Sequence, residues 1–540
     1  MSKKKSQGVF RYHEATKHHF HRMARSSDDM DRENEPNPFR FYGTDKTVPL
    51  PLLKEKHKAS HMDLFRRKKR PIRPFTVDSI AGFLELSLAL SAWKEFSGSR
   101  WALRINPSSG NLHPTESHLI LPAMASWEGG VYHYDPFHHA LEQRAILHEA
   151  VWERIRNHFK TDCFLIALST IFWRESWKYG ERAFRYCNHD IGHALAALSF
   201  AGNLQGWKVK AFNALSDDDI EALLGFDRTA WGASEKEHPG LLCIVCGNQV
   251  EEIPDDLPGD AGSLFSRVDF TGTPNILSKK HKDWSIVYTT ADLTRKQRTA
   301  GTLSSPPPAP FHCTAPSSQS ARDIIRQRRS GAAYDRKGTM PGMQFMSILD
   351  KTIPRPGCAP FDADIIRPST HLLLFVHRVE DLDRGLYFLL RNREDLDDIK
   401  KLSDSGFLWE PMDKKLPLFL LQRGDFRRDA TQVSCGQDIA GSGCFSLGMI
   451  SRFRETIEAS PCLYRRLFWE TGLIGQVLYL EAEAYGFRGT GIGCFFDDEV
   501  HRILGFRDNA FQSLYHFAVG KPIEDQRLTT FPPYFHLKEV

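Results

Sequence analysis

The chain has 540 residues, 41% hydrophobic and 11% aromatic, which is enough for two to four domains with sizeable cores. Seventy-one Lys+Arg against 67 Asp+Glu leave a formal charge of +4, so no basic excess calls for nucleic acid or an anionic membrane as partner. The longest apolar run, Phe164 to Trp173, falls far short of the roughly 20 residues of a membrane helix and contains Ser169 and Thr170, so a soluble, cytoplasmic protein is expected.

Residues 1–57 read as a polar extension rich in His and Pro. Its charged start, Met1 to Gln7, has no apolar stretch after it, so no secretory signal is expected. The Lys17-His-His-Phe-His21 cluster has no carboxylate or cysteine beside it and reads as surface histidines, with no metal expected. Residues 58–250 read as a first α+β domain. Within it, Arg104 to Ser117 (RINPSSGNLHPTES) is a loop whose prolines fix its path and whose hydroxyls, amide and N–H groups suit something flat and polar. The apolar run from His118 follows it. Leu241 to Cys246 reads as a buried strand, where Cys243 and Cys246 point to opposite faces and pack in the core. The ten cysteines are scattered, as expected of reduced thiols.

An internal repeat organises the rest. Shifted by 280 positions, Phe184–Trp207 meets Tyr464–Phe487, with Arg185 on Arg465, Gly192 on Gly472 and Gly206 on Gly486. The register continues through Asp217-Asp218 on Asp497-Asp498 and Leu224-Gly-Phe226 on Leu504-Gly-Phe506. Each copy reads as a helix apolar on nearly all sides, and so buried, stopped by a glycine in a left-handed cap. Gly130-Val-Tyr132 pairs with Gly385-Leu-Tyr387, and Val245-Cys-Gly247 with Ala518-Val-Gly520, as strands. Two copies of one α+β fold are therefore expected. Residues 251–319, with Ser304-Ser-Pro-Pro-Pro-Ala-Pro310, read as a linker or wrapping arm, and 320–540 as the second domain.

The second copy opens with Arg326-Gln-Arg328-Arg329-Ser330-Gly and closes with Gly520-Lys521 to Arg527. Such arginines beside a hydroxyl, with a further Lys and Arg, can converge on a dianionic phosphate, because guanidinium matches phosphate bidentately. A solvated helix end is the plainer alternative. Between them lies Gly489-Thr-Gly491-Ile492-Gly493-Cys494. Alternate glycines let a backbone approach a planar ring, although a tight turn explains them equally well.

Taken in order, PSSGNLHP, RRSG with Tyr334-Asp335, GTGIGCF and the terminal GKP…R resemble the flavin-dependent nitroreductase superfamily. Tyr12 to His19, Pro36-Asn-Pro-Phe-Arg40 and Trp177-Lys178-Tyr179-Gly-Glu-Arg182 are similar to its SagB-type dehydrogenase branch. The resemblance implies tandem nitroreductase-like domains that form a pseudo-dimer within one chain. It implies FMN held at the phosphate by Arg328, Arg329, Ser330, Lys521 and Arg527, lined by Gly491, Ile492, Gly493 and Cys494, and reached by Pro107, Ser108, Ser109 and Asn111 from the first copy. Aligning His118 on His371 puts Pro107 on Pro360 and Phe361-Asp-Ala-Asp364 where Ser-Ser-Gly-Asn stood, so that loop is lost in the second copy. Arg66 to Arg73, with Pro71 in place of the serine, and the segment after Gly247 lack the clamp in the first copy. One FMN per chain is expected. A further basic residue of the clamp falls on Ala332, which leaves Arg73 or Arg322 to supply its charge.

The resemblance also implies that Lys178 and Tyr179 handle a proton while a small-molecule or peptide-derived substrate exchanges hydride with the flavin. Two alternatives stand beside this dehydrogenase or oxidase reading: an NAD(P)H-dependent nitro or quinone reductase, and a flavin-binding protein without turnover. None of the three needs nucleic acid or a membrane.

Overall fold

The computed structural model describes residues 2–27, 29–53, 59–66, 71–125, 127–232, 234–259, 265, 268–300, 311–365 and 367–537. Arg67 to Arg70 of the basic run and Ser304 to Pro310 of the expected linker lie outside them. The chain divides into two compact units. The first-repeat unit takes Ser26–Ser304, Gly357–Ile365 and Leu528–Val540, and the second-repeat unit takes Met1–Arg25, Ser305–Pro356 and Ile366–Arg527.

The first-repeat unit carries β1 (Thr47–Pro49), β2 (Leu90–Phe96), β3 (Ser99–Arg104), β4 (Thr115–Leu121), β5 (Gly130–Asp135), β6 (Ala140–Ile146), β7 (Cys163–Thr170), β8 (Trp207–Ala211) and β9 (His238–Gly247). Seven of these form a sheet in the order β1-β6-β5-β4-β7-β9-β8, paired antiparallel throughout. Every residue of β7 is buried, as a continuous apolar run requires. The helix Ala183–Leu204 is buried at every position, so its small residues, not an amphipathic stripe, let it pack. It stops where Gly206 takes φ +76°, a left-handed cap that suits glycine. The next helix, Asp217–Leu224, starts at a capping box in which Ser216 and Asp219 satisfy each other's backbone N–H.

The second-repeat unit repeats this plan with β10 (Thr370–Val376), β11 (Gly385–Leu389), β12 (Glu410–Pro411), β13 (Leu418–Arg423), β14 (Phe445–Arg452), β15 (Arg488–Ile492) and β16 (Phe511–Gly520). Their order is β12-β13-β11-β10-β14-β16-β15. The helices Leu463–Ala484 and Asp497–Leu504 stand 280 positions after their counterparts at both ends, and Gly486 takes φ +73°. The expected duplication of an α+β fold is therefore observed, with only the outermost strand of each sheet drawn from a different place in the sequence.

The chain divides after Arg25 and Ser304, whereas composition pointed to 57, 250 and 319. Residues 2–15 form a helix of the second-repeat unit, where Ser6 Oγ donates to Ile457 O and His13 lies between the Tyr464 hydroxyl and Gln512 Oε1. The far end of the chain serves the first-repeat unit. There β17 (Thr529–Phe531) pairs with β2, and the Tyr534 hydroxyl donates to Pro136 O and accepts from Leu90 N. Which core a terminal segment fills depends on long-range contacts that composition does not record. Among the described residues no helix is long and apolar enough to cross a membrane.

Candidate functional site

Two groups of side chains stand out, one in each unit. In the second-repeat unit the helix Ala321–Gln327 ends at Arg328, and the chain then runs extended beside β15. Ser330 pairs with Gly489, and Gly331 N donates to Gly489 O at 3.1 Å. The strand leaving β16 returns to the same place, where Asp335 N donates to Lys521 O at 2.8 Å and Ile523 N to Ala333 O at 3.0 Å. Backbone pairing thus gathers the segments around 328–335, 488–491 and 521–523. The Tyr479 hydroxyl ties them together, lying 3.0 Å from Ser330 Oγ and accepting from Gly491 N at 2.9 Å, with the Arg328 guanidinium 5.1 Å from its ring centre.

The charge gathered here is positive. Burial, with Arg328 and Arg488 beside it, lowers the Arg329 guanidinium to about 10. Arg328 is itself buried and likewise lowered. Glu483 opposes them, pairing with Arg488 at 3.5 Å, and Arg488 also reaches Glu524 at 3.2 Å. Arg488 escaped the sequence reading, although it stands directly before the glycines. It supplies charge where Ala332, exposed, supplies none. Of the two expected substitutes, Arg322 lies on the preceding helix, and Arg73 belongs to the first-repeat unit, where its backbone N–H donates to Gln205 O. Lys521 Nζ donates to Gly486 O at 3.3 Å, and the exposed Arg527 forks onto Asp525 at 2.7 and 2.9 Å.

Packing places its own demand on the alternate glycines. A Cβ on Gly491 would stand 2.0 Å from the Tyr515 hydroxyl, and one on Gly489 would stand 2.7 Å from the Phe517 ring. Both contacts are within the unit, so packing against β16 requires the glycines. The Gly491 N–H is also taken by Tyr479, which leaves Gly493 and Cys494, in the loop after β15, as the backbone beyond the strand.

In the first-repeat unit the Pro107–Asn111 loop is held by its own polar groups. Ser108 Oγ accepts from His113 N at 2.8 Å, Ser109 N and Oγ donate to Asp190, and Asn111 Nδ2 donates to Ala102 O. Gly110 is at φ +59° and Asn111 at φ +62°. The hydroxyls and amide read as donors to a ligand thus also fix the turn. The counterpart at Phe361–Ala363 makes the same short 3₁₀ turn and ends on Asp364 at φ +60°. The turn itself is therefore kept there, while both serines, the glycine and the asparagine are replaced.

Lys178 and Tyr179 close the helix Phe172–Tyr179 and reach this loop. A Cβ on Gly110 would stand 2.6 Å from the Tyr179 hydroxyl and 3.2 Å from Lys178 Nζ, so both polar tips meet at one glycine. Asp190 lies beneath, on the long helix, its carboxyl pushed up to about 7 by burial and partly offset by hydrogen bonds from Ser108 and Ser109. Sequence reading passed over Asp190. Its signal was a buried acid at one position of the repeat, since Glu470 stands at the matching place.

The histidine cluster has carboxylates beside it after all, Glu14 three residues before it and Asp498 from far along the chain. Among the described residues, Glu14, His19 and Asp498 form one group with metal-ligand atoms close together, but the Lys17 ammonium already spans Glu14 at 2.9 Å and Asp498 at 2.8 Å.

No family model matches the chain. In sequence it is 24% identical over 188 residues to "Putative nitroreductase MJ1384" of Methanocaldococcus jannaschii, across 34% of this chain and 89% of that protein. It is 27% identical over 197 residues to the trifolitoxin-processing protein TfxB of Rhizobium leguminosarum bv. trifolii, again across 34% of this chain but only 52% of the relative. In structure it superposes on a crystal structure from Anabaena variabilis that carries the same nitroreductase designation, with a TM-score of 0.69, 20% identity, and coverage of 96% and 99% of the two chains. The architecture is that of two tandem nitroreductase-like α+β units. The chain thus has a tandem nitroreductase-like fold and is similar in sequence to a protein designated a nitroreductase and to TfxB.

Proposed function

We propose that the chain is an FMN-dependent oxidoreductase of SagB type, oxidising a small-molecule or peptide-derived substrate. The observation that carries this reading is the cluster of Arg328, Arg329 and Arg488 around Ser330 and Tyr479, held by three separate pieces of backbone. The three guanidiniums outnumber the Glu483 and Glu524 carboxylates beside them, and a phosphate monoester fits this donor set. Arg328, Arg329, Arg488, Ser330 and Lys521 would hold that phosphate, Arg527 would add to it once released from Asp525, and the backbone of Gly493 and Cys494 would flank the ring. When bound, FMN supplies a two-electron acceptor for hydride.

The residues of the first-repeat unit do the remaining work in this reading. The Lys178 amine takes a proton from the substrate as the substrate's hydride departs, and the Tyr179 hydroxyl orients the group that loses it. By the family resemblance, Pro107, Ser108, Ser109 and Asn111 would take part in cofactor binding. The name of TfxB, a toxin-processing protein, favours a peptide-derived substrate.

Flavin released by denaturation, quantified beside the absorbance spectrum, tests the reading. One FMN per chain is expected, lost in Arg328→Ala/Arg329→Ala and in Ser108→Asp/Ser109→Asp. Two per chain, or none after adding FMN, refutes it. The designation of the M. jannaschii relative favours a second reading, NAD(P)H-dependent reduction of nitro or quinone compounds. Anaerobic bleaching of the flavin by NADH or NADPH would support that one.

A further inference from the structure

The N-terminal motif Tyr12 to His19 takes no part in the proposed chemistry, yet the fold uses its pattern twice. The helix Ser2–Ala15 of the second-repeat unit and the helix Ser285–Leu293 of the first-repeat unit end alike. Glu14-Ala-Thr16-Lys17-His18 stands 278 positions before Asp292-Leu-Thr294-Arg295-Lys296. Thr16 Oγ1 donates to Tyr12 O at 2.9 Å, and Thr294 Oγ1 donates to Thr290 O at 2.8 Å. The next residue is a cation in both, and it meets the same acid of the repeat. Lys17 Nζ donates to Asp498 Oδ1 at 2.8 Å, and Arg295 Nε to Asp218 Oδ1 at 2.7 Å. One residue on, the His18 backbone N–H donates to Asp497 Oδ2 at 3.1 Å, and that of Lys296 to Asp217 Oδ2 at 3.0 Å. Asp497 and Asp217 are both buried, so their carboxylates need donors, and the arm supplies one to each. Segments that read in the sequence as an extension and a linker thus hold two copies of one arm.

Beyond this shared dock the arms part. In the first-repeat unit the arm runs on along the loop before Asp217, where Lys296 Nζ donates to Leu215 O at 2.7 Å, Thr299 N to Ala214 O at 3.0 Å and Thr299 Oγ1 to Asn213 O at 3.0 Å. It thereby covers Asn213 to Leu215, the counterpart of Gly493 to Phe495. In the second-repeat unit the arm turns back on itself, with Ala24 N donating to His18 Nδ1 at 3.0 Å. It rests on the end of the loop, where His18 pairs with Phe496 and the Phe20 and Phe496 ring centres lie 4.5 Å apart. The Cys494 carbonyl there accepts from Gln437 Nε2 at 3.0 Å.

We infer that Lys17 and His18 are positioning residues that hold the loop Gly493–Phe496 in shape for the flavin ring, while the arm of the first copy seals the matching loop. The inference rests on the reading that puts the backbone of Gly493 and Cys494 beside the ring. A loop fixed at its end by an ion pair and a backbone hydrogen bond keeps its shape before the cofactor arrives, so less ordering remains for binding to supply. The hold concerns the ring and not the phosphate, which Arg328, Arg329 and Arg488 would meet.

Hydrogen exchange of the flavin-free full chain, read by peptide mass spectrometry, tests the hold without a ligand. Lys17→Ala should speed exchange across residues 493–498 by about tenfold, through the loss of a charge-assisted hydrogen bond. Lys17→Arg, which places the cation of the other arm here, should restore the wild-type rate. Titration then links the hold to the site: Lys17→Ala should weaken FMN and riboflavin alike, by at least about threefold, and Lys17→Arg should restore both. Arg295→Ala is the same lesion in the first copy, and should speed exchange across 213–218 while leaving both flavin affinities unchanged. Wild-type exchange at 493–498 in Lys17→Ala would overturn the inference, and so would a failure of Lys17→Arg to restore it. Flavin affinity lost equally in Arg295→Ala would also overturn it, since that marks a general loosening. Faster exchange with both flavin affinities unaltered would leave the arm's hold on the loop standing and refute the placing of that loop beside the ring.

Discussion

Replacing Asp190 by Asn should uncouple the stability of the first-repeat unit from pH in a calculable way. The carboxyl is lifted from an ordinary 3.8 to about 7, chiefly because burial penalises its charge. The folded chain therefore keeps a proton that the unfolded chain releases. Its contribution is present in full below about pH 4 and declines as pH rises through 7, at up to roughly 1.4 kcal/mol per pH unit. Across that window the wild type should lose roughly 4 kcal/mol relative to Asp190→Asn, an upper figure because relaxation around a buried acid reduces it. The amide can still accept from Ser109 N, so the loop anchor is preserved. Urea denaturation of both proteins from pH 4.5 to 8, followed by tryptophan fluorescence, gives the difference directly. A constant offset across that range would refute the reasoning, because it would mean that Asp190 ionises in the folded chain as it does in the unfolded one.

Arg488→Ala should weaken FMN binding by about tenfold or more while leaving riboflavin affinity nearly unchanged, since only FMN carries the phosphate; isothermal titration with both ligands decides it. Tyr479→Phe removes the hydroxyl that accepts from Gly491 N and pairs with Ser330 Oγ, and should cost roughly 1–3 kcal/mol in chemical denaturation. In the first-repeat unit His133 is buried between Glu116 and Glu142, whose hydrogen bonds outweigh burial and raise it to about 9. Its contribution is present below about pH 6.5 and lost as pH rises through 9, and His133→Phe, which strands two carboxylates, should cost roughly 3–5 kcal/mol at pH 7 by thermal denaturation. Gly491→Ala should lower the melting temperature of the second-repeat unit through its collision with Tyr515.

The repeated helix, its glycine stop and the following helix were legible because small residues, a left-handed glycine and an acidic first turn recur at one spacing. Strand pairs such as β5 and β11 were legible from their shared Gly-x-Tyr starts. The arginine cluster was only half legible. RRSG announces itself, but Arg488 and Tyr479 join it through β15 pairing and a helix face, and neither forms a motif. Asp190 stayed hidden for a similar reason. A carboxylate in a sequence reads as solvated, and only the fold reveals that this one is buried beneath the glycine turn. That packing also demands the glycines of β15 was not legible, because the sequence does not show that Tyr515 and Phe517 lie across from them.

The exchange of end segments has a consequence for biosynthesis. The first-repeat unit lacks β17 and the Tyr534 anchor until the ribosome has translated past residue 534, long after its own sheet has emerged. Its other two strands of that small sheet, β2 and β3, must wait with an open edge meanwhile. Completion of this unit thereby waits until the second repeat has been made, so a ribosome that stalls within that repeat leaves the first unfinished.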